Sequence, residues 1–154
     1  MQKRLTEILA EKEKIKRAVA CGTAVHAQLQ HVTLDINGTS SNDHGNADLI
    51  EKIRKNLEIA RFFTAGAGTT IRTEVPIAGM VNGRFISRRI DRMIIKDNII
   101  EFLDYKTDAD KTLRHDKYAA QIGEYAVLLR AAYPGREIHG HILWTHDWEL
   151  EKVI

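Results

Sequence analysis

Two apolar runs, Arg84–Ile95 and Ile99–Lys106, meet at Asp97-Asn98, and this junction constrains the fold more than any other feature of the chain. Both runs read as β-strands, and Asp-Asn suits the positive φ of a tight hairpin turn. Paired residues in an antiparallel hairpin have positions that sum to a constant. With Asp97 and Asn98 as the turn that constant is 195, and Asp91 and Asp104 satisfy it. The two aspartates are expected opposite each other on one face of the sheet, with Cβ atoms roughly 4.5–5.5 Å apart. Carboxylates that close repel each other unless a proton or a cation lies between them. Lys106, two residues past Asp104, falls on the same face by the strand period.

The remaining periodicity surrounds this hairpin with helices. Residues 3–35 read as helix in two pieces, broken near Cys21-Gly22-Thr23, with Thr23 as the cap of the second. Residues 37–46, Asn-Gly-Thr-Ser-Ser-Asn-Asp-His-Gly-Asn, form the clearest loop. Leu49, Ile50, Ile53, Leu57 and Ala60 give helical spacing over residues 47–63, and residues 65–69 form a Gly-rich turn. Residues 70–77 read as a strand before the hairpin. A polar loop over 107–111 leads into a helix over 113–133 that ends at Pro134-Gly135. Strands are expected over 137–145 and 148–154. The fold class is α/β: a small mixed sheet, with the antiparallel hairpin at its centre, flanked by helices.

A length of 154 residues suits one domain with a genuine core. No apolar run approaches the roughly 18 residues of a membrane helix, so no membrane partner is expected. Cys21 is the one cysteine, which excludes an intramolecular disulfide and any multi-cysteine metal centre. A reducing, cytoplasmic setting follows as the expectation. The net charge of +2 is too small to argue nucleic-acid binding, although Arg84, Arg88, Arg89 and Arg92 crowd the strand that carries Asp91. The chain ends within an expected strand, as a piece of something longer would.

Asp91, Asp104 and Lys106 form the strongest chemical constellation. A hard divalent cation prefers one or two carboxylates plus waters. It activates water and polarises a phosphate, and a neighbouring ammonium can orient the water or neutralise charge. The alternative is a surface strand with solvated charges. Against that, Ile90, Phe102 and Leu103 imply a buried setting. Elsewhere, His26 on its own is ambiguous between packing and ligation. Gln121 and Tyr125 share a helix face, for contact with a partner or for packing. His139 and His141 alternate on a strand and read as an exposed pair, with a second metal site as the alternative. Trp144 and Trp148 read as packing residues, although Trp148 could stack a base.

Asp91…Asp104-Tyr105-Lys106 resembles the core of the PD-(D/E)XK nuclease superfamily, and other segments resemble its RecB-like branch. Gly22-Thr23-Ala24-Val25-His26 is similar to that branch's N-terminal histidine motif, and Gln121-Ile122-Gly123-Glu124-Tyr125 to its Q-x-x-x-Y helix. Glu74-Val75-Pro76 precedes the hairpin as the family's glutamate segment does. Tyr133-Pro134-Gly135-Arg136 and Leu143-Trp144-Thr145 resemble the C-terminal nuclease domain of AddA-type helicase–nucleases, the alphaproteobacterial kind nearest. The likeness covers roughly residues 20–154.

The resemblance implies a restriction-endonuclease-like core and a single nuclease domain over 1–154, with 1–19 as a helical extension. It implies Mg²⁺, with Mn²⁺ as a substitute, held by His26, Asp91, Asp104 and the Tyr105 carbonyl. Asp91, Asp104, Lys106 and Glu74 would be catalytic, Glu74 either serving the metal and its water or pairing with an arginine. Gln121, Tyr125, Arg88 and Arg89 would contact DNA or position the catalytic strand, and Lys117 is a further phosphate candidate. The implied activity is exonucleolytic digestion of single-stranded DNA ends in double-strand break repair. The motor would lie in cis or on a partner subunit of AddB type. A stand-alone structure-specific or restriction-like endonuclease and an inactive DNA-binding module are the alternatives. Three features depart from the family: Arg88 stands where a glycine is usual, residues 37–46 match nothing, and no Walker A sequence is present.

Overall fold

The computed structural model describes residues 2–37 and 46–154, with side chains from Glu7 onward in the first helix; residues 38–45 of the expected loop lie outside the described residues. Nine elements follow in order: α1 (Gln2–Leu29), α2 (Ala47–Lys55), α3 (Leu57–Ala60), β1 (Thr70–Val81), β2 (Arg84–Ile95), β3 (Ile99–Lys106), α4 (His115–Ala132), β4 (Glu137–Trp144) and β5 (Glu149–Lys152). The strands form one mixed sheet in the order β1-β2-β3-β4-β5, flanked by helices. Within this sheet β3 and β4 pair in parallel, because α4 is the crossover that joins them. Among the described residues no helix is long and apolar enough to cross a membrane.

Each face of the sheet has its own core. The end of α1, with α2 and α3, covers Ile94, Leu103, Tyr105 and Leu143. α4 covers Met93, Phe102, Ile138 and Ile142 on the opposite face. The approach of α4 is close enough to require glycine. A Cβ on Gly140 would lie 2.5 Å from both Ile122 and Phe102, and one on Gly79 2.7 Å from Leu128. Gly140→Ala is therefore expected to cost about 1–3 kcal/mol, the scale of core overpacking, read as a lower urea midpoint. An unchanged midpoint would mean that α4 sits further from the sheet.

The β2–β3 hairpin has the expected register: Arg92, Met93, Ile94 and Ile95 pair with Leu103, Phe102, Glu101 and Ile100. Its turn differs, since neither Asp97 nor Asn98 has positive φ. The left-handed pair is instead Asn82-Gly83 (φ 51° and 74°), which joins β1 to β2. That turn extends β1 to Val81, four residues beyond the expected strand, and makes β1–β2 the longest hairpin of the chain.

Two helix expectations need correction. α1 is continuous through Gly22, and the Thr23 hydroxyl donates to the Val19 carbonyl instead of capping a second helix. Gly22 admits Thr107, whose hydroxyl would lie 3.0 Å from a Cβ there. The expected helix over 47–63 breaks at Asn56, which is extended and whose side chain accepts hydrogen bonds from the Glu58 and Ile59 amides to start α3. Of the four arginines that crowd β2, Arg92 is wholly buried, and its guanidinium donates to the Tyr105 hydroxyl and to the carbonyls of Leu29, Val32 and Phe62.

Candidate active site

Asp91 sits where both of its strand ladders lapse. The β2–β3 pairing ends at Arg92–Leu103, one step short of the expected Asp91–Asp104 pair. The β1–β2 pairing skips Glu74 opposite Asp91, and Glu74 has φ 54°. A non-glycine residue in the left-handed region inside a strand is strained, and such strain collects at functional sites. The lapse frees the Asp91 carboxylate to take a backbone role. Its Oδ2 accepts the Tyr105 amide at 2.7 Å.

Both aspartates are buried, Asp91 8 % and Asp104 4 % exposed. Burial first, and the Asp104 charge second, push the Asp91 carboxyl up to about 6. The Lys106 ammonium lies 2.5 Å from Asp104 Oδ2, a direct buried ion pair. Around Lys106 stand the Gln121 carbonyl oxygen at 3.2 Å and the Tyr118 ring at 4.4 Å. Gln121 donates to the Tyr125 hydroxyl at 2.6 Å, which donates in turn to the Arg89 carbonyl. Tyr125 is buried, so it joins α4 to β2 from inside the core.

His26 approaches from α1. Its Nε2–H donates to the Tyr105 carbonyl at 3.0 Å. Tyr105 is held at three points, by His26 at its carbonyl, Asp91 at its amide and Arg92 at its hydroxyl. Burial pushes its phenol up to about 12. Glu74 pairs with Arg89 at 2.6 Å, the arginine partnership left open by the sequence. Arg88 turns to the other face of β2, toward Glu124 on α4. Adjacent on a strand, Arg88 and Arg89 therefore serve different surfaces.

A cleft of about 870 Å³ opens between α1, the Glu74–Arg89 pair and the loop after β3, with His26, Tyr105 and Lys106 at its base. Asp91 and Asp104 do not line it. Among the described residues, no three His, Cys, Asp or Glu side chains converge closely enough to share a metal. Two carboxylates and a carbonyl are nonetheless oxygen donors of the type a hard cation takes, with Lys106 paired to Asp104 Oδ2 in its absence. His26 Nε2 and the Tyr105 carbonyl, both expected as ligands, are hydrogen-bonded to each other.

Sequence reasoning missed Tyr118, the ring beneath Lys106. Its spacing was a usable signal, because Tyr118, Gln121, Ile122 and Tyr125 follow one helical stripe. His141 also departs from expectation. It is buried edge-on against Phe62, 5.1 Å between ring centres, not exposed beside His139.

Burial first, then the Arg61 charge, holds the His141 imidazole down at about 4. Its folded pKa lies below the ordinary 6.5, so His141 favours folding above pH 6.5 and loses that contribution as pH falls to 4. Metal-free Asp91 has the opposite sign. Its folded pKa is raised, so its contribution is lost as pH rises from about 4 to 6. Each is worth roughly 3 kcal/mol at most. Stability without metal is expected to change little over this window. His141→Phe should then lose stability with rising pH, and Asp91→Asn should gain it. Parallel profiles for all three proteins would show that neither group titrates this way.

No protein-family model and no curated protein matches this chain.

Proposed function

We propose that the chain is a divalent-metal-dependent DNA nuclease of the RecB-like, PD-(D/E)XK kind, working in the cytosol on single-stranded ends. One observation carries the reading. Two buried carboxylates stand at the end of a hairpin, one of them ion-paired with a lysine that α4 holds at the edge of an open cleft. A buried pair of this kind is costly to keep without a cation or a task.

Asp91, Asp104 and the Tyr105 carbonyl would hold Mg²⁺ or Mn²⁺, with His26 as the neighbouring nitrogen ligand. When bound, the cation would lower the pKa of water and polarise a phosphoryl oxygen. Lys106 sets an ammonium beside Asp104, where it can orient the attacking water or offset charge on the phosphate. Gln121 and Tyr118 fix that ammonium. Attack on phosphorus with loss of the 3′ oxygen leaves a 5′-phosphate and a 3′-hydroxyl. A helicase motor, in cis or on a partner subunit, would supply the unwound strand.

A second reading, a catalytically idle DNA-binding module, is favoured by one fact: no three metal-ligating side chains converge among the described residues. Linear and circular single strands and linear duplex, incubated with Mg²⁺, Mn²⁺ or EDTA, separate the two. Metal-dependent cleavage supports the nuclease, and cleavage of circles makes it an endonuclease. Binding of DNA without cleavage, with no Mn²⁺ uptake by calorimetry, leaves the idle module. Where Mn²⁺ does bind, its affinity is expected to fall below about pH 6, because Asp91 must release a proton to receive it.

A further inference from the structure

Lys106 joins the cleft to the buried carboxylates. Its side chain is 15 % exposed and lines the cleft, which Asp91 and Asp104 do not. Its Nζ ends on Asp104 Oδ2 at 2.5 Å, an oxygen shut off from solvent. A cation that takes this oxygen from the cleft side must move the ammonium. The two cannot share it. A divalent ion and an ammonium on one oxygen are like charges in close contact, and at 4 % exposure Asp104 has little water around it to screen them.

The ammonium has a second seat within reach. Gln121 Oε1 lies 3.2 Å from Nζ, and the Tyr118 ring centre 4.4 Å. Both residues belong to α4, and both are fixed by a further bond. Gln121 Nε2 donates to the Tyr125 hydroxyl at 2.6 Å, which aims the amide oxygen at Lys106. The Tyr118 hydroxyl donates to Asp108 Oδ2 at 2.7 Å, which holds the ring in place. An amide oxygen and an aromatic face together hold a cation without a charge of their own. Release from Asp104 therefore asks for a shift of the end of one side chain and no movement of the backbone.

We propose that Lys106 is an exchangeable stand-in cation: it pairs with Asp104 until a divalent metal takes that oxygen, and then keeps its seat on Gln121 and Tyr118. The inference rests on the metal-dependent reading above for the incoming ion, but the exchange does not require cleavage. It also orders the events at the site. The ammonium is free to meet water or a phosphate in the cleft only after the metal has replaced it on Asp104.

The test is calorimetry of the full chain with Mn²⁺ alone, for wild type, Lys106→Met, Gln121→Leu and the double variant. Lys106→Met removes the competitor and should bind Mn²⁺ at least about tenfold more tightly, the low end for one charged hydrogen bond. Loss of a distant repelling charge would act in the same direction, so Gln121→Leu carries the decision. Without its second seat the displaced ammonium is stranded, and Mn²⁺ should bind roughly threefold more weakly, the scale of one neutral hydrogen bond. In the Lys106→Met background the same change should have no effect. In EDTA, Lys106→Met should melt below wild type, and saturating Mg²⁺ should raise its melting temperature by more. Equal or weaker Mn²⁺ binding by Lys106→Met, or a Gln121→Leu effect that persists without the lysine, would overturn the exchange and leave the metal site standing. No Mn²⁺ uptake by either wild type or Lys106→Met would overturn the exchange and the nuclease reading together. The expected cycle, with no cleavage of DNA by wild type, would keep the exchange and remove the nuclease.

Discussion

Asp104→Asn is expected to abolish metal-dependent cleavage, by at least about 10²-fold, while leaving a folded protein. The substitution keeps the shape of the side chain and removes one charge. The interaction lost is the ion pair of Asp104 Oδ2 with Lys106, whose ammonium keeps the Gln121 carbonyl oxygen and the Tyr118 ring. Two electrostatic effects oppose each other. Asp91 loses a repelling neighbour, and Lys106 loses its ion pair. What does not cancel is the pull on a cation. Halving the carboxylate charge of a site that holds a hard metal weakens it, and losing one focused electrostatic contributor costs about 10²–10³ in rate. Mn²⁺ titration of the variant should show weakened binding in the same proportion. Undiminished cleavage by the variant would move the chemistry away from this hairpin. Lost cleavage with Mn²⁺ affinity intact would assign Asp104 to catalysis and not to ligation.

The hairpin was legible in the sequence because its constraint is arithmetic. Once a two-residue turn is chosen, every pair follows, and Arg92–Leu103 through Ile95–Ile100 stand as counted. The count could not show that the ladder would lapse at Asp91, because that depends on Glu74, a residue of a different strand with a left-handed backbone. The Asn82-Gly83 turn was the strongest short-range signal in the chain, yet it was hidden by Gly79, which interrupts the apolar alternation before it. That glycine belongs to the strand, where Leu128 leaves no room for a Cβ. Gly22 misled in the same way, as a close approach to Thr107 that looks like a helix break. The break at Asn56 was invisible because the apolar spacing runs on through it. Such errors share a cause: sequence reports what a residue permits along the chain, and tertiary contact decides which permission is used.

Arg92 is the sharpest case, and replacing it should be the most destabilising single change in the chain. Its neighbours in sequence are charged, which suggests a surface. The structure instead pairs it with Leu103 in the core, past the irregularity at Glu74 and Asp91, on the opposite side of the sheet from Arg88. Its guanidinium donates to the carbonyls of Leu29 and Val32, at the end of α1, and of Phe62, just after α3. These carbonyls lie at or just past helix C-termini, where a positive charge is favoured, and the Leu29 carbonyl also accepts the Val32 amide. Its Nε fixes the Tyr105 hydroxyl at 2.9 Å, and the group stacks 4.1 Å over the Phe63 ring. Arg92→Met fills similar volume but takes this donor from the Val32 and Phe62 carbonyls and from the Tyr105 hydroxyl, each worth about 1–3 kcal/mol, and leaves the Leu29 carbonyl with the Val32 amide alone. Allowing for relaxation, a loss of about 3–5 kcal/mol is expected by urea denaturation, a large share of the roughly 5–15 kcal/mol that holds a domain together. Arg92→Lys should fall between, because one ammonium cannot reach carbonyls on both helices and the Tyr105 hydroxyl together. A loss below about 1 kcal/mol for the methionine variant would mean that the carbonyls find water or other donors. The same clamp reaches the candidate site, since His26 lies one turn before Leu29 and meets Tyr105 at its carbonyl. In the lysine variant, Mn²⁺ affinity should therefore fall along with stability, and His141→Phe at neutral pH, which touches neither α1 nor Tyr105, should leave Mn²⁺ affinity unchanged.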